Sequence, residues 1–311
     1  MTVLVTGARG FLGKHVVQRL TQRGVQVLAT DLEGGSVTVD VPRIKEAQLD
    51  ICGAQASFDL MREHAIRAVV NCAAYGVDYR QQDPVRALEV NAIGTANLFT
   101  TADRLGIAPF VHVGTGAEYG SHEGPISEEA ALRPTTIYGA TKAAGTLTLL
   151  ALATRARYAP IIVRPFGMYG EGEGSHKLVP QIVAAALSGE PLMLTSGHEL
   201  RDYRYVGDVA DCIAYLVMQA ADAAPLGQVF NLGSGKGVTV RDFAKAVATI
   251  LDRPVVLRFG AIPSRQDVPA SLVSDQRKWR GFCARHHCQE LTAVTAVTSV
   301  VGRIRETACE S

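Results

Sequence analysis

Three glycines spaced three apart, Gly7, Gly10 and Gly13, follow directly on the apolar, β-branched run at residues 2–5. That run suits a strand buried on both faces of a parallel sheet. A glycine at the turn permits positive φ, and the next lets backbone approach a ligand with no Cβ in the way. A helix is predicted over 11–22, ended by Arg23-Gly24. Its unpaired N–H groups and positive end favour an anion, and a pyrophosphate fits that description. The position of the trio, between an N-terminal strand and a helix, is the context a dinucleotide turn requires. Gly7, Gly10, Phe11, Leu12 and Gly13 are therefore read as cofactor-binding.

The alternation of strands and helices continues. A second strand over 25–30 ends at Asp31, 18 residues beyond Gly13, close to the spacing at which a carboxylate meets the adenosine ribose. A carboxylate there accepts ribose hydroxyls and repels a 2′-phosphate, which favours NAD over NADP, with Arg9 placed to offset part of the repulsion. A third strand is expected over 47–51, ending in Asp50 and Ile51 beside the adenine pocket. A fourth, over 67–72, is followed by Ala73 and Ala74. Asp83-Pro84 opens a long helix to about Leu105 that carries Asn91, Gly94, Thr95 and Asn97 in its interior, and the fifth strand covers 110–114. This regularity predicts an α/β fold, a doubly wound parallel sheet that holds ligands at the carboxyl edge of its strands.

Thr115 stands at that edge. Tyr138 and Lys142, four apart at the start of another helix, share one helical face. A free phenol has a pKa of about 10, too high for a base near neutrality. A neighbouring ammonium and an oxidised nicotinamide together stabilise the phenolate. The Thr115 hydroxyl can then hold a substrate oxygen while Tyr138 exchanges its proton.

With these residues in place, the chain over about residues 2–267 resembles the extended short-chain dehydrogenases/reductases of the NAD-dependent epimerase/dehydratase family, which act mostly on nucleotide-linked sugars. Further segments are similar: Arg164-Pro165-Phe166, Leu178-Val179-Pro180, the run from Arg201 to Val209, and Asn231-Leu232-Gly233-Ser234-Gly235. The resemblance implies a catalytic trio of Thr115, Tyr138 and Lys142. It implies cofactor contacts from the glycine turn, Asp31, Asp50, Ile51, Ala73, Ala74, Asn91, Tyr138, Lys142 and Pro165. Substrate contacts are implied for Thr115, Gly116, Tyr138, Gly167, Leu178, Arg201 and Arg265, the two arginines pairing with a nucleotide diphosphate. For Arg201 a structural pair with Asp202 or Asp208 is the alternative.

Two departures bear on the reaction. Sugar 4,6-dehydratases carry an Asp-Glu pair after the threonine, where this chain has Gly116-Ala117, with Glu118 one place further on. Many epimerases carry asparagine where this chain has Gly167. Leu194-Thr195-Ser196-Gly197 resembles members that reduce 4-keto-6-deoxy sugars. The leading expectation is NAD(P)-dependent reduction of such a sugar at carbon 4. A 4-epimerase is the close alternative, and a catalytically silent dinucleotide-binding regulator the alternative of another class.

A smaller α/β substrate-binding domain is expected to be interleaved with the cofactor domain. The cofactor domain takes residues 1–165 and 202–236, the cap 166–201 and 237–311. The stretch 167–174 is read as a flexible segment that could close over substrate, with a helix over 178–188, strands over 191–194 and 255–259, and helices over 209–220 and 239–251. A net charge of +1 gives no footprint for nucleic acid or an acidic membrane. No apolar run approaches the roughly 20 residues of a membrane span, and no signal peptide is read at the N-terminus. The six scattered cysteines are expected to be reduced thiols in a cytoplasmic protein. Cys283 to Cys288 encloses two histidines but lacks a second pair for a tetrahedral site, so no metal is expected, and His286 and His287 are read as solvated. Excess apolar residues on the helices from Pro84 and Tyr138, among them Leu147, Leu149, Leu150 and Leu152, predict a homodimer.

Overall fold

The computed structural model describes residues 1–33, 43–222, 227–251, 253–264 and 267–286. The first half runs β1 (Thr2–Thr6), α1 (Phe11–Gln22), β2 (Gln26–Asp31), β3 (Ile44–Gln48), α2 (Ala54–Glu63), β4 (Ala68–Asn71), α3 (Pro84–Leu88), a π-helical turn (Glu89–Gly94), α4 (Thr95–Arg104), β5 (Phe110–Val113), a 3-10 turn (Gly116–Glu118), α5 (Ile137–Ala153) and β6 (Ile161–Pro165). The second half adds β7 (Gly167–Tyr169), α6 (Leu178–Ser188), β8 (Leu192–Leu194), β9 (Leu200–Tyr205), α7 (Val206–Asp222), β10 (Val229–Leu232), β11 (Gly237–Thr239), α8 (Val240–Ile250), β12 (Leu257–Phe259), β13 (Ser271–Leu272) and α9 (Arg277–His286).

Seven strands form one parallel sheet in the order β10-β6-β5-β4-β1-β2-β3. Every residue of β4, β5 and β6 is buried, as Val- and Ile-rich strands covered by helices on both faces must be. The chain leaves β1 towards β2 and β3, then returns to the other side of β1 through β4, so the strand order reverses between β1 and β4. A crevice opens outside the carboxyl ends of the strands at such a point. Helix α1 buries Leu12, Val16, Val17 and Leu20 on one face, packed in the same core as Val209, Ile213, Leu216 and Val217 of α7. Arg19 and Arg23 close that seam on Asp211 at 3.1 and 2.8 Å.

The remaining strands make two small sheets: β11-β9-β13 with β7 on β9, and β12-β8. The stretch expected to be flexible after Gly167 therefore begins as a strand. The third strand lies at 44–48, not 47–51. Among the described residues it pairs only with β2, as the sheet's edge, and its mostly exposed residues give little apolar signal, so Asp50 and Ile51 fall in the turn beyond it. Helix α7 starts three residues earlier than expected and β12 two residues later. Helix α9, in the last forty residues, has no counterpart among the sequence expectations. It buries Trp279, Phe282 and Cys283, with the Trp279 and Phe282 rings 5.4 and 5.0 Å from that of Phe230 in β10. His286 is half-buried, its ring 4.4 Å from Phe282, where solvation was expected. Cys52, Cys72 and Cys212 are free thiols, but Cys283 is disulfide-bonded, which corrects the expectation of six reduced cysteines. Among the described residues no helix is long and apolar enough to cross a membrane, and no cluster of three or more metal-ligating side chains occurs. His287, Cys288, Arg265 and the segment 291–304 lie outside the described residues.

Candidate active site

At the β1–α1 turn each glycine has a separate steric reason. Gly7 sits at φ +60°, and a Cβ on it would come within 2.8 Å of the Ala73 backbone after β4. A Cβ on Gly13 would stand 2.1 Å from the Gly7 carbonyl, so α1 could not start where it does. Gly10 is exposed and caps α1 without a side chain, leaving the helix start open on the crevice side. Asp31 holds the turn from β2: its Oδ2 accepts the Arg9 N–H at 3.1 Å and its Oδ1 the Leu32 N–H at 2.8 Å. The carboxylate thus stands at the end of β2 beside the glycine turn and braces it. Asp50 accepts the Cys52 N–H at 2.9 Å and pairs with Arg86 at 3.3 Å. Burial opposes its charge, but these bonds prevail and hold it below its ordinary value. Ile51 is a core residue, 4 % exposed.

Asn91 lies in the π turn with its amide spent inside the protein. Its Oδ1 accepts the Tyr75 N–H at 2.9 Å, and its Nδ2 donates to the Tyr75 carbonyl at 2.8 Å and to Thr141 Oγ1 at 2.9 Å. It ties the loop carrying Ala73 and Ala74 to α5, one residue before Lys142. Pro165 is buried at the end of β6.

Helix α5 is brought onto the 3-10 turn after β5 and onto the π turn by two close glycine contacts. A Cβ on Gly139 would lie 2.5 Å from the Ala117 carbonyl, and one on Gly145 2.2 Å from the Asn91 carbonyl. Thr136 caps the helix, accepting the Gly139 N–H at 3.0 Å. The result sets Tyr138 against Thr115 and buries Lys142 to 1 % exposure, with its Nζ among the buried atoms that have no hydrogen-bond partner. Burial pulls the Lys142 ammonium down to about 8, against the pull of Glu118 and Cys72. Burial pushes the Tyr138 phenol up to about 12, opposed by the Thr115 hydroxyl and reinforced by the Glu118 carboxylate. The protein's own groups do not lower the phenol; the expected lowering joins the Lys142 ammonium with the positive charge of an oxidised nicotinamide. The open glycine turn, the braced Asp31 and the orphaned Lys142 fit a bound dinucleotide.

On the substrate side, Arg201 of β9 donates to the Leu200 and Pro269 carbonyls at 2.7 and 2.8 Å. Asp202 does not pair with it: its carboxylate accepts the Ser234, Gly235 and Ser274 N–H groups at 2.6, 3.0 and 3.0 Å. Asp208 lies in the field of Arg204 and Arg19 instead. Gly167 allows β7 to lie on β9, since a Cβ on it would be 3.0 Å from the Asp202 carbonyl, and a Cβ on Gly116 would lie 3.1 Å from the Phe166 ring. Leu178 opens α6 half-buried. Sequence reasoning missed Glu118 as a buried group; the glycine before Thr115, which makes room for it, was the available signal.

With this geometry in view, the family comparison is direct: the model of the NAD dependent epimerase/dehydratase family matches residues 3–233. The chain belongs to that family. Among relatives of this chain, the UDP-glucose 4-epimerase of Lacticaseibacillus casei is 27 % identical over 301 residues, 90 % of each chain. The dTDP-glucose 4,6-dehydratase of Streptomyces antibioticus is 31 % identical over 255 residues, covering 78 % of this chain and 75 % of that enzyme. Among solved structures, the Thermus thermophilus UDP-glucose 4-epimerase in complex with NAD superposes with a TM-score of 0.86 at 26 % identity, over 98 % of this chain and 99 % of that one. The Streptomyces venezuelae dTDP-glucose 4,6-dehydratase with NAD bound gives 0.85 at 25 % identity, over 100 % and 98 %.

Proposed function

We propose that this epimerase/dehydratase family member is an NAD-dependent oxidoreductase acting at carbon 4 of a nucleotide-linked sugar, most simply as a reductase of a 4-keto-6-deoxy sugar. The observation that carries the redox reading is the orphaned, buried Lys142 ammonium beneath Tyr138 and Thr115 at the carboxyl edge of the sheet. When bound, the cofactor would supply the hydride, as neutral NADH, for reduction, or, as NAD, the acceptor and the positive charge that favours the phenolate. Lys142 holds the ribose, Tyr138 exchanges the proton of the carbon-4 oxygen, and Thr115 orients that oxygen. Residues 1–165 and 202–236 hold the dinucleotide, with Asp31 selecting NAD over NADP. The cap formed by 166–201 and 237–311 holds the sugar nucleotide, with Arg201 and Arg265 proposed to pair with its diphosphate. Helices α3 and α5 form the homodimer seam.

Dehydration is disfavoured because Gly116 and Ala117 offer no carboxylate and Glu118 is turned inward, 0 % exposed. The second reading is 4-epimerisation, favoured by Asp31, which suits an enzyme that recycles bound NAD. The experiment is a thermal-shift panel of UDP, dTDP, CDP and GDP with NAD or NADP present, followed by turnover assays. A selective rise with one nucleotide and NAD is expected, because a ligand that binds only the native state stabilises it. Consumption of NADH on a 4-keto-6-deoxy sugar supports reduction; interconversion of UDP-hexoses without added cofactor supports epimerisation. Undiminished turnover in Tyr138→Phe would sink the proton-transfer role of Tyr138 in both readings; a wild type that binds NAD but turns over none of these sugars would leave a silent binder.

A further inference from the structure

Glu118 is buried within the catalytic wall, yet no sequence motif points to it. Its side chain lies where a Cβ on Gly114 would stand 2.3 Å from Oε1, so Gly114 makes room for it. Oε1 accepts the Thr115 N–H at 2.9 Å while Thr115 Oγ1 accepts the Ala117 N–H at 3.2 Å, a reciprocal cap on the 3-10 turn. Oε2 pairs with Arg164 Nε at 2.8 Å, and both partners are at most 3 % exposed. Arg164 in turn donates to the Tyr119 hydroxyl at 2.6 Å, and that hydroxyl donates to Asn231 Oδ1 at 2.8 Å. The chain of bonds thus runs from β10 through β6 to the backbone of Thr115.

We propose that Glu118 is a positioning residue, clamped between Arg164 and the Thr115 N–H, that sets both the place of the Thr115 hydroxyl and the charge beneath Tyr138 and Lys142. The proposal rests on the reading of Thr115, Tyr138 and Lys142 as the reacting trio. Lys142 is faced by Glu118 from the 3-10 turn, by Cys72 from the end of β4 and by His112 from β5. Tyr138 is faced by Thr115 and Glu118, and Glu118 itself by Arg164 and, beyond it, Tyr119. Burial keeps Cys72 a neutral thiol and His112 a neutral imidazole, so the charge that acts on the pair near neutrality comes from Glu118, which Arg164 holds in place. The carboxylate raises the phenol and the ammonium together. Removing its charge while keeping its shape therefore moves both titrations to lower pH.

Three variants test this: Glu118→Gln, the volume-matched apolar pair Glu118→Met with Arg164→Met, and Tyr138→Phe. Folding is followed by circular dichroism and NAD affinity by titration. The titration of Tyr138 is read from the tyrosinate absorbance of NAD-loaded protein, as the difference from Tyr138→Phe. In Glu118→Gln the Tyr138 titration and both limbs of the pH–rate profile are expected to move down by about one pH unit, with NAD affinity held. In the double variant, which removes the carboxylate as well, the same downward shift is expected together with a fall in kcat of about tenfold, because Thr115 is no longer clamped. A folded Glu118→Gln protein with the wild-type titration and kcat would overturn the proposal. So would a folded double variant with wild-type kcat, and so would failure of both variants to fold, which would make the pair merely structural. Full turnover in Tyr138→Phe sinks the trio itself; loss of turnover there, with Glu118→Gln unaffected, sinks only Glu118.

Discussion

Lys142 carries a cost that packing does not repay. Held at about 8 instead of 10.5, its ammonium destabilises the folded chain by about 3 kcal/mol at neutral pH. The sign follows from linkage: between those two values the unfolded chain binds the proton and the folded chain does not, so the cost shrinks as pH rises. Lys142→Met is expected to melt higher than wild type at pH 7, with the gap closing towards pH 10, while turnover is lost; calorimetry across pH checks this. Glu173 behaves in the opposite sense. Its Oε2 is buried without a partner, and burial pushes its carboxyl up to about 8, opposed by Lys177. Unfolded, the acid ionises from near 4.5, so stability is lost as pH rises from there towards 8. Glu173→Gln is expected to match wild type near pH 4 and to melt progressively higher up to pH 8. At this scale Tyr138 and Lys142 were legible because a spacing of four is a local fact of helices. The Glu118–Arg164 pair was not, because its members are 46 residues apart in sequence. Asn91 drew notice as a polar residue in a helix interior, but its bonds to Tyr75 and Thr141 depend on where the β4 loop and α5 come to lie.

Elements show the same division. Helix α1 matches its expected bounds, since a glycine turn starts it and Gly24, at φ +80°, ends it. The long helix after Asp83 was legible as one rod, but its middle winds as a π turn where Gly94 meets Ile51, a Cβ there falling 2.8 Å from Ile51 Cγ1. Such π segments are frequent at functional sites. This one carries Asn91 to the loop it ties down. The approach of α5 to that turn makes Gly145 intolerant: Gly145→Ala places a Cβ 2.2 Å from the Asn91 carbonyl. We expect it to cost about 1–3 kcal/mol, from overpacking, and to raise the KM for NAD by pushing Lys142 outward. Chemical denaturation and NAD titration measure the two effects. The edge strand β3 was misplaced by three residues because one-sided pairing leaves its residues half-polar, without the apolar run that marks β4 and β5.

Across the whole molecule, apolar residues remain uncovered on two neighbouring helices. Val85 and Leu88 of α3 and Ile137 and Leu147 of α5 are 65, 45, 56 and 55 % exposed, while Leu149 is fully buried in the core and does not belong to this face. If a second copy covers it, light scattering at micromolar concentration gives a dimer mass, and Leu147→Glu, which buries a charge in the seam, gives a monomer with an intact fold. A monomeric wild type would contradict the homodimer. The sequence alone determined the parallel sheet, the glycine turn and the face that Tyr138 shares with Lys142. Each follows from residues within about twenty of one another, through backbone freedom, periodicity and burial. Only the tertiary structure decided that Lys142 has no partner, that Glu118 turns inward to Arg164 and that Asp202 caps the turn at Ser234 instead of pairing with Arg201. Those contacts join distant segments, and which donor meets which acceptor depends on how the layers pack.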